Sequence, residues 1–185
     1  MLNDILFALW FFLPAGIANL VPVFAAHVPL IKKFDAPIDG GKVFRGKRVF
    51  GDHKTWRGMI VGIIFGTITL ALQQYLFGES AWIRSFAADV DYTMLPTLIM
   101  GPLFAIGALG GDAIESFFKR QRGIAPGKGW FPFDQTDFII GGAIATMPFV
   151  TLSIWHYLWL LVLWLGVHVI STVIGYFLGL KDTPI

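Results

Sequence analysis

Asp134 and Asp137 stand three residues apart in PGKGWFPFDQTDF, and Asp112, Ser116, Lys119 and Arg120 precede them in GGDAIESFFKR. If the chain from Asp112 is helical, Asp112, Ser116 and Lys119 share one face at i, i+4 and i+7, with Glu115 alongside. Asp134 and Asp137 turn the same way if their own turn is helical. Carboxylates without His or Cys companions are hard oxygen donors, the kind Mg²⁺ prefers when substrate phosphates complete its shell. A plainer reading stands beside this one. Asp137 could cap the helix that follows, at its positive end. Glu115 and Lys119 could form an ordinary i, i+4 pair, which is the favoured reading for Glu115.

A second group lies earlier, in APIDGGKVFRGKRVFGDHKTWRG over 36–58. Lys42, Arg45, Lys47, Arg48, Lys54 and Arg57 are interleaved there with glycines, with His53, and with Asp39 and Asp52. Glycine lets a backbone approach a ligand closely, and Arg and Lys match phosphate oxygens. A topological signal that also touches anionic lipid head groups, at about 1 kcal/mol per cation, explains the positive charge. It does not call for the two aspartates or for so much glycine. Lys54-Thr55 is preceded by His53 instead of the glycine of a P-loop, so phosphate binding is expected without that architecture.

The elements that must position these groups are membrane spans. The chain has 185 residues, 56% hydrophobic and 14% charged, with a mean hydropathy of +0.69, outside the range of soluble domains. A spanning helix needs about 20 apolar residues, because only an unbroken helix satisfies its own backbone in hydrocarbon. Runs free of Asp, Glu, Lys and Arg cover 5–31, 58–78, 92–111 and 138–180. The last is about twice the length one span needs. His156-Tyr157 lies near its middle among Trp155, Trp159 and Ser153, an interfacial composition.

The prediction is an all-α integral membrane protein, a single membrane-embedded domain over 1–185. It has about five transmembrane helices, near 5–31, 58–78, 92–111, 138–155 and 158–180, and two polar cytoplasmic segments, 32–57 and 112–137. Cations crowd those two segments while Arg84 is alone in the segment between them, so the positive-inside rule puts both, with the Lys181 tail and the C-terminus, in the cytoplasm and the N-terminus outside. The first run lacks a basic leader and a cleavage site, so it reads as a retained span of a multi-pass cell-membrane protein.

Absent residue types narrow the chemistry. There is no cysteine, hence no disulfide framework and no thiolate metal site. The helix interiors hold no Asp, Glu, Lys or Arg, which disfavours a channel or pump. Pro14, Pro22 and Pro29 should bend the first helix, with Asn19 or His27 either packed or bordering a polar cavity. Gly58, Gly62 and Gly66 form a small-residue stripe that Gly175 and Gly179 repeat, suited to packing within the chain or to a homodimer seam. A segment that grips polyphosphate and a segment that holds a divalent cation, on one face of a membrane, suit phosphoryl or nucleotidyl transfer at its surface.

Together PIDGGKVFRGKRVFGDHKTWRG and GDAIESFFKR with PGKGWFPFDQTDF resemble the two signature regions of the CDP-archaeol synthases, over nearly the whole chain. The second region is also similar to the S-x-x-K-R then D-R-x-D signature of the phosphatidate cytidylyltransferases. Ser116, Lys119, Arg120, Asp134 and Asp137 match it, and Gln135 replaces its arginine. The resemblance implies a Mg²⁺-dependent enzyme with a polar cavity opening to the cytoplasm. It implies CMP transfer from CTP to a membrane lipid phosphate, unsaturated archaetidic acid by the archaeol-like form of the motif, with no nucleic-acid partner.

Carried onto this sequence, the resemblance assigns one or two Mg²⁺ ions to Asp112, Asp134 and Asp137. Lys42, Arg45, Lys54 and Arg57 fall to the triphosphate, Lys119 and Arg120 to the lipid phosphate or α-phosphate, and Ser116 to a phosphate or metal-shell hydroxyl. Asp52, Lys54, Thr55 and Arg57 become one wall of the CTP site. Asp39 and Asp52 either orient the cations or recognise the cytidine. A phosphatidate cytidylyltransferase and a non-enzymatic transporter or scaffold are the alternatives. The D-G-x-x-A-R and D-x-x-x-D pattern of a CDP-alcohol phosphotransferase is absent.

Overall fold

Proline sets the first feature of the fold. A computed structural model describes residues 1–26, 28–177 and 179. In it the first apolar run is two helices, α1 (Leu2–Phe11) and α2 (Leu13–Ala25), bent by 49°. Pro14 has no N–H to give the carbonyl of Trp10 and disfavours helical geometry at Leu13. The side chain of Gln73 donates to that carbonyl instead. A 3-10 turn, Pro29–Phe34, follows α2. His27 and the Lys181 tail lie outside the described residues.

The next helices are α3 (Trp56–Glu79), α4 (Ala81–Ala87), α5 (Thr97–Gln121), α6 (Phe133–Thr146) and α7 (Ile154–Phe177). Among the described residues, α3, α5 and α7 are each long and apolar enough to cross a membrane, and α1 with α2 qualifies as one broken span. With α6 the expected five elements are present, but α6 has 14 residues, about 21 Å at 1.5 Å per residue, short of a ~30 Å hydrocarbon core. The protein is an all-α, multi-pass membrane protein with three to four spans by length.

Two boundaries differ from the expectation. The break in 138–180 falls over 147–153, before the aromatic pair at His156, because Pro148 ends α6 there. The short helix α4 was not foreseen; it buries Ile83, Phe86 and Ala87, and Trp10 of α1 meets Phe86 edge-on.

Small residues draw the helices together. Gly62 and Gly66 of α3 lie against Ala18 and Pro14 of α2 and Leu109 and Ala105 of α5. This stripe therefore serves packing within the chain, and pairing of two copies would need another face. Between α5 and α6 the approach is closer still. A Cβ on Gly111 would collide with the Asp137 carbonyl, and one on Gly141 with the Gly107 carbonyl. No larger residue fits at these crossings.

Before α3, the basic segment folds back on itself. Ile38 N–H donates to Lys54 O (2.8 Å) and Trp56 N–H to Ala36 O (3.0 Å), closing its two ends. Inside is a small hairpin, β1 (Val43–Phe44) paired with β2 (Lys47–Arg48). Its turn places Arg45 at φ 51° and Gly46 at φ 75°, the twist that suits a two-residue hairpin loop.

Candidate active site

The N-terminus of α3, the C-terminal half of α5 and the first turns of α6 meet at one end of the bundle. Thr55 caps α3, its hydroxyl oxygen accepting from Gly58 N–H at 3.2 Å. That cap fixes Lys54 and Arg57 on either side of it. Lys54 Nζ donates to Asp112 Oδ2 at 2.5 Å, and Arg57 Nη2 forms an ion pair with Asp35 Oδ1 at 2.9 Å. Burial alone would lower the Lys54 ammonium, but Asp112 holds it above its ordinary value, so it is a fixed positive charge.

One turn along α5 from Asp112 is Glu115, and the close α5–α6 crossing brings in Asp137. One carboxylate oxygen from each of Asp112, Glu115 and Asp137 lies within 4.8 Å of the other two. Glu115 is buried, and its Oε1 makes no hydrogen bond. Crowded carboxylates repel one another unless a cation or protons compensate. Hard oxygen donors with an unsatisfied buried oxygen among them fit a divalent cation such as Mg²⁺.

Asp134 is not in that cluster. Its carboxylate accepts from Lys119 Nζ at 2.8 and 2.9 Å and from Trp130 N–H at 2.7 Å. Lys119 is itself buried and lies 3.8 Å from Glu115. Both aspartates sit on one side of the first turns of α6, but Asp134, one turn earlier, reaches Lys119 while Asp137 reaches the acids.

A cavity of about 480 Å³ opens beside these groups. Asp35, Asp52, His53, Lys54, Thr55, Arg57 and Asp112 supply its polar wall. Pro22, Val23 and Ala26 of α2 with Ile38, Met59 and Leu109 supply apolar lining, and Asn19 of α2 joins them.

Asp39 organises the basic loop. It is buried, accepting from Arg48 Nη2 (2.9 Å) and from the N–H groups of Gly41 (2.9 Å), Phe50 (2.9 Å) and Gly51 (3.2 Å). Burial would raise its carboxyl, yet the Phe50 amide, Arg48 and the other donors hold it down to about 2. Arg48 also grips Asp52 at 2.5 Å. These contacts are the cation-orienting alternative for both aspartates, and Asp39 does not line the cavity.

The comparisons with known proteins agree over the whole length. The family model described as CarS-like, CDP-archaeol synthase, matches residues 1–185. The chain belongs to the CDP-archaeol synthase family. The CDP-archaeol synthase of Thermococcus onnurineus is 35% identical over 184 residues, covering 99% of this chain and 98% of that one. That of Methanococcus aeolicus is 36% identical over 174 residues, covering 93% and 92%. A solved structure, presented as insight into an intramembrane enzyme for archaeal membrane lipids biosynthesis, matches with TM-score 0.68 and 27% identity over 91% of this chain and 94% of that one.

For this CDP-archaeol synthase family member, Asp112, Lys54, Thr55, Arg57 and Asp52 are brought to one cavity, and Asp112 with Asp137 to one cluster. Ser116 is buried on the same face of α5. Lys42 and Arg45 are exposed on the hairpin and outside the cavity lining. Arg120 lies at the end of α5, its Nη2 donating to Ala125 O at 3.3 Å. Glu115 was missed as a member of the acidic cluster. Its signal was the i, i+3 step from Asp112, combined with Gly107, Gly111 and Gly141, which announce where α5 and α6 touch. Asp35, paired with Arg57, was missed as well and carries no motif.

Proposed function

We propose that this protein transfers CMP from CTP to a membrane lipid phosphate, giving CDP-archaeol and pyrophosphate in ether-lipid synthesis. The observation that supports it most is the junction of the basic and acidic segments at Lys54 and Asp112, on the wall of a cavity lined by both polar and apolar side chains. Such a cavity suits one substrate from water and another from the bilayer. On this reading the junction faces the cytoplasm, in line with the crowding of cations in both segments, and the lipid is unsaturated archaetidic acid.

The reaction joins a phosphate oxygen of the lipid to the α-phosphorus of CTP and breaks the bond from that phosphorus to the bridging oxygen, which leaves with pyrophosphate. The attacking oxygen is already anionic near neutral pH, so no general base is required. What the residues must supply is alignment and neutralisation of crowded anions. Asp112, Glu115 and Asp137 would hold one or two Mg²⁺ ions, which when bound neutralise phosphate charge. Lys54 bridges that cluster to the cavity and offers its remaining N–H donors to phosphate oxygens. Lys119, oriented by Asp134, and Ser116 extend the polar face of α5, while Asp52, paired with Arg48, sets that cation and His53 lines the cavity.

Purified protein titrated with CTP, with and without Mg²⁺, tests the site. Binding that requires the ion and is lost in Asp137→Asn supports it, and ion-independent or absent binding opposes it.

A further inference from the structure

Arg57 is a buried cation whose pairing is incomplete. It is 7% exposed, its Nη2 rests on Asp35, and its buried Nε and Nη1 make no hydrogen bond within the protein. A buried guanidinium with part of its donor fork unused is costly, and it matches phosphate oxygens in shape. It also sits in the first turn of α3, at the positive end of the helix dipole.

The surroundings distinguish one phosphate from another. Lys54 and Asp112 connect the cavity to the acidic cluster. The same lining holds Pro22, Val23, Ala26 and Met59, and Pro22 packs against Gly58, the residue after Arg57. Immediately before Asp35, the 3-10 turn Pro29–Phe34 leaves Leu30 85% exposed and Phe34 47% exposed, apolar groups suited to the membrane interface. Asp35 therefore stands where an exposed apolar turn becomes a polar loop.

We propose that Arg57 receives the phosphate of the lipid substrate, and that Asp35 is the positioning residue that sets the guanidinium for it. This deepens the cytidylyl-transfer reading and rests on it. Asp35 holds Nη2 and leaves Nε and Nη1 as unused donors for the incoming oxyanion, while the first carbons of the lipid run along α2. The nucleotide phosphates then occupy the Lys54 side, toward Asp112.

The test uses the full chain reconstituted in bilayers. Substituting Asp35→Asn should raise KM for the lipid phosphate about tenfold while KM for CTP stays within about twofold, and Asp35→Glu should recover most of the loss. Mg²⁺-dependent CTP binding by Asp35→Asn should match wild type, which excludes misfolding. Equilibrium binding of a short-chain dialkylglycerol phosphate, which needs no turnover, should weaken by a similar factor. If KM and binding for CTP move instead, the oxyanion at Arg57 is a nucleotide phosphate and the proposal falls. If neither substrate is affected, the Asp35–Arg57 pair only supports the fold, and the proposal falls too. Wild type that binds the lipid phosphate in an Asp35-dependent way but forms no CDP-lipid would sink the reaction while leaving this subsite standing.

Discussion

Lys54 Nζ lies 2.5 Å from Asp112 Oδ2 and joins segments 58 positions apart in the chain. Lys54 balances the carboxylate nearest the cavity, and its loss leaves Asp112 beside Glu115 and Asp137 without a cation. Lys54→Met is expected to lower kcat/KM by about 100-fold or more, since one buried member of a charged pair is left alone. The double variant Lys54→Met/Asp112→Asn should be little worse than the poorer single one. Steady-state rates of the cycle check this, and simple additivity would contradict it.

The acidic cluster predicts a contrast between neighbours on α6. Asp137→Asn and Glu115→Gln should weaken Mg²⁺ or Mn²⁺ affinity in the CTP complex at least about tenfold. Asp134→Asn should leave ion affinity close to wild type while slowing turnover, because it frees Lys119 instead. Calorimetric titration separates the cases. Equal loss of ion affinity at Asp134 would restore the ligand set expected from the motif.

Chelation should abolish turnover, and added Mg²⁺ should restore it. Activity that persists through exhaustive dialysis against a chelator, with the ion confirmed absent by elemental analysis, would remove the metal from the account.

Gly111→Ala is expected to cost about 1–3 kcal/mol of stability, because the new methyl meets the Asp137 backbone and α6 must shift. It should reduce activity further than the lost stability explains, since the same shift moves Asp137 away from Asp112. Thermal unfolding in detergent with rates measured well below Tm checks both parts.

Much of this arrangement is legible in the sequence, and the parts that are not have physical causes. The apolar runs locate α3, α5 and the broken first helix, and Gly123, at φ 77°, stops α5 near where the pattern stops. Asp112, Lys54 and Arg57 could be assigned to one site because their types match one chemistry. Glu115 could not be told from a surface i, i+4 partner, because the choice depends on how near α6 comes. Likewise Asp134 and Asp137 look equivalent until one turn of α6 gives them different partners. Asp39 could not be recognised as a loop organiser, since its partners are mostly backbone N–H groups.

Asp39 yields a pH prediction. Its carboxyl is held at about 2 in the folded loop against an ordinary 3.8. A depressed value means its support for the loop is complete above about pH 4 and fades as pH falls toward 2. Hydrogen exchange at the Phe50 and Gly51 amides, corrected for intrinsic rates, should accelerate over that window in wild type. In Asp39→Asn those amides should already exchange fast at pH 7.

The central claim is the transfer itself, and a substrate panel tests it most directly. Purified protein with Mg²⁺ and CTP is offered unsaturated archaetidic acid and, separately, phosphatidic acid, and CDP-lipid and pyrophosphate are quantified. The account predicts equal amounts of both products, with the ether lipid preferred. Formation of no CDP-lipid from either phosphate would contradict it.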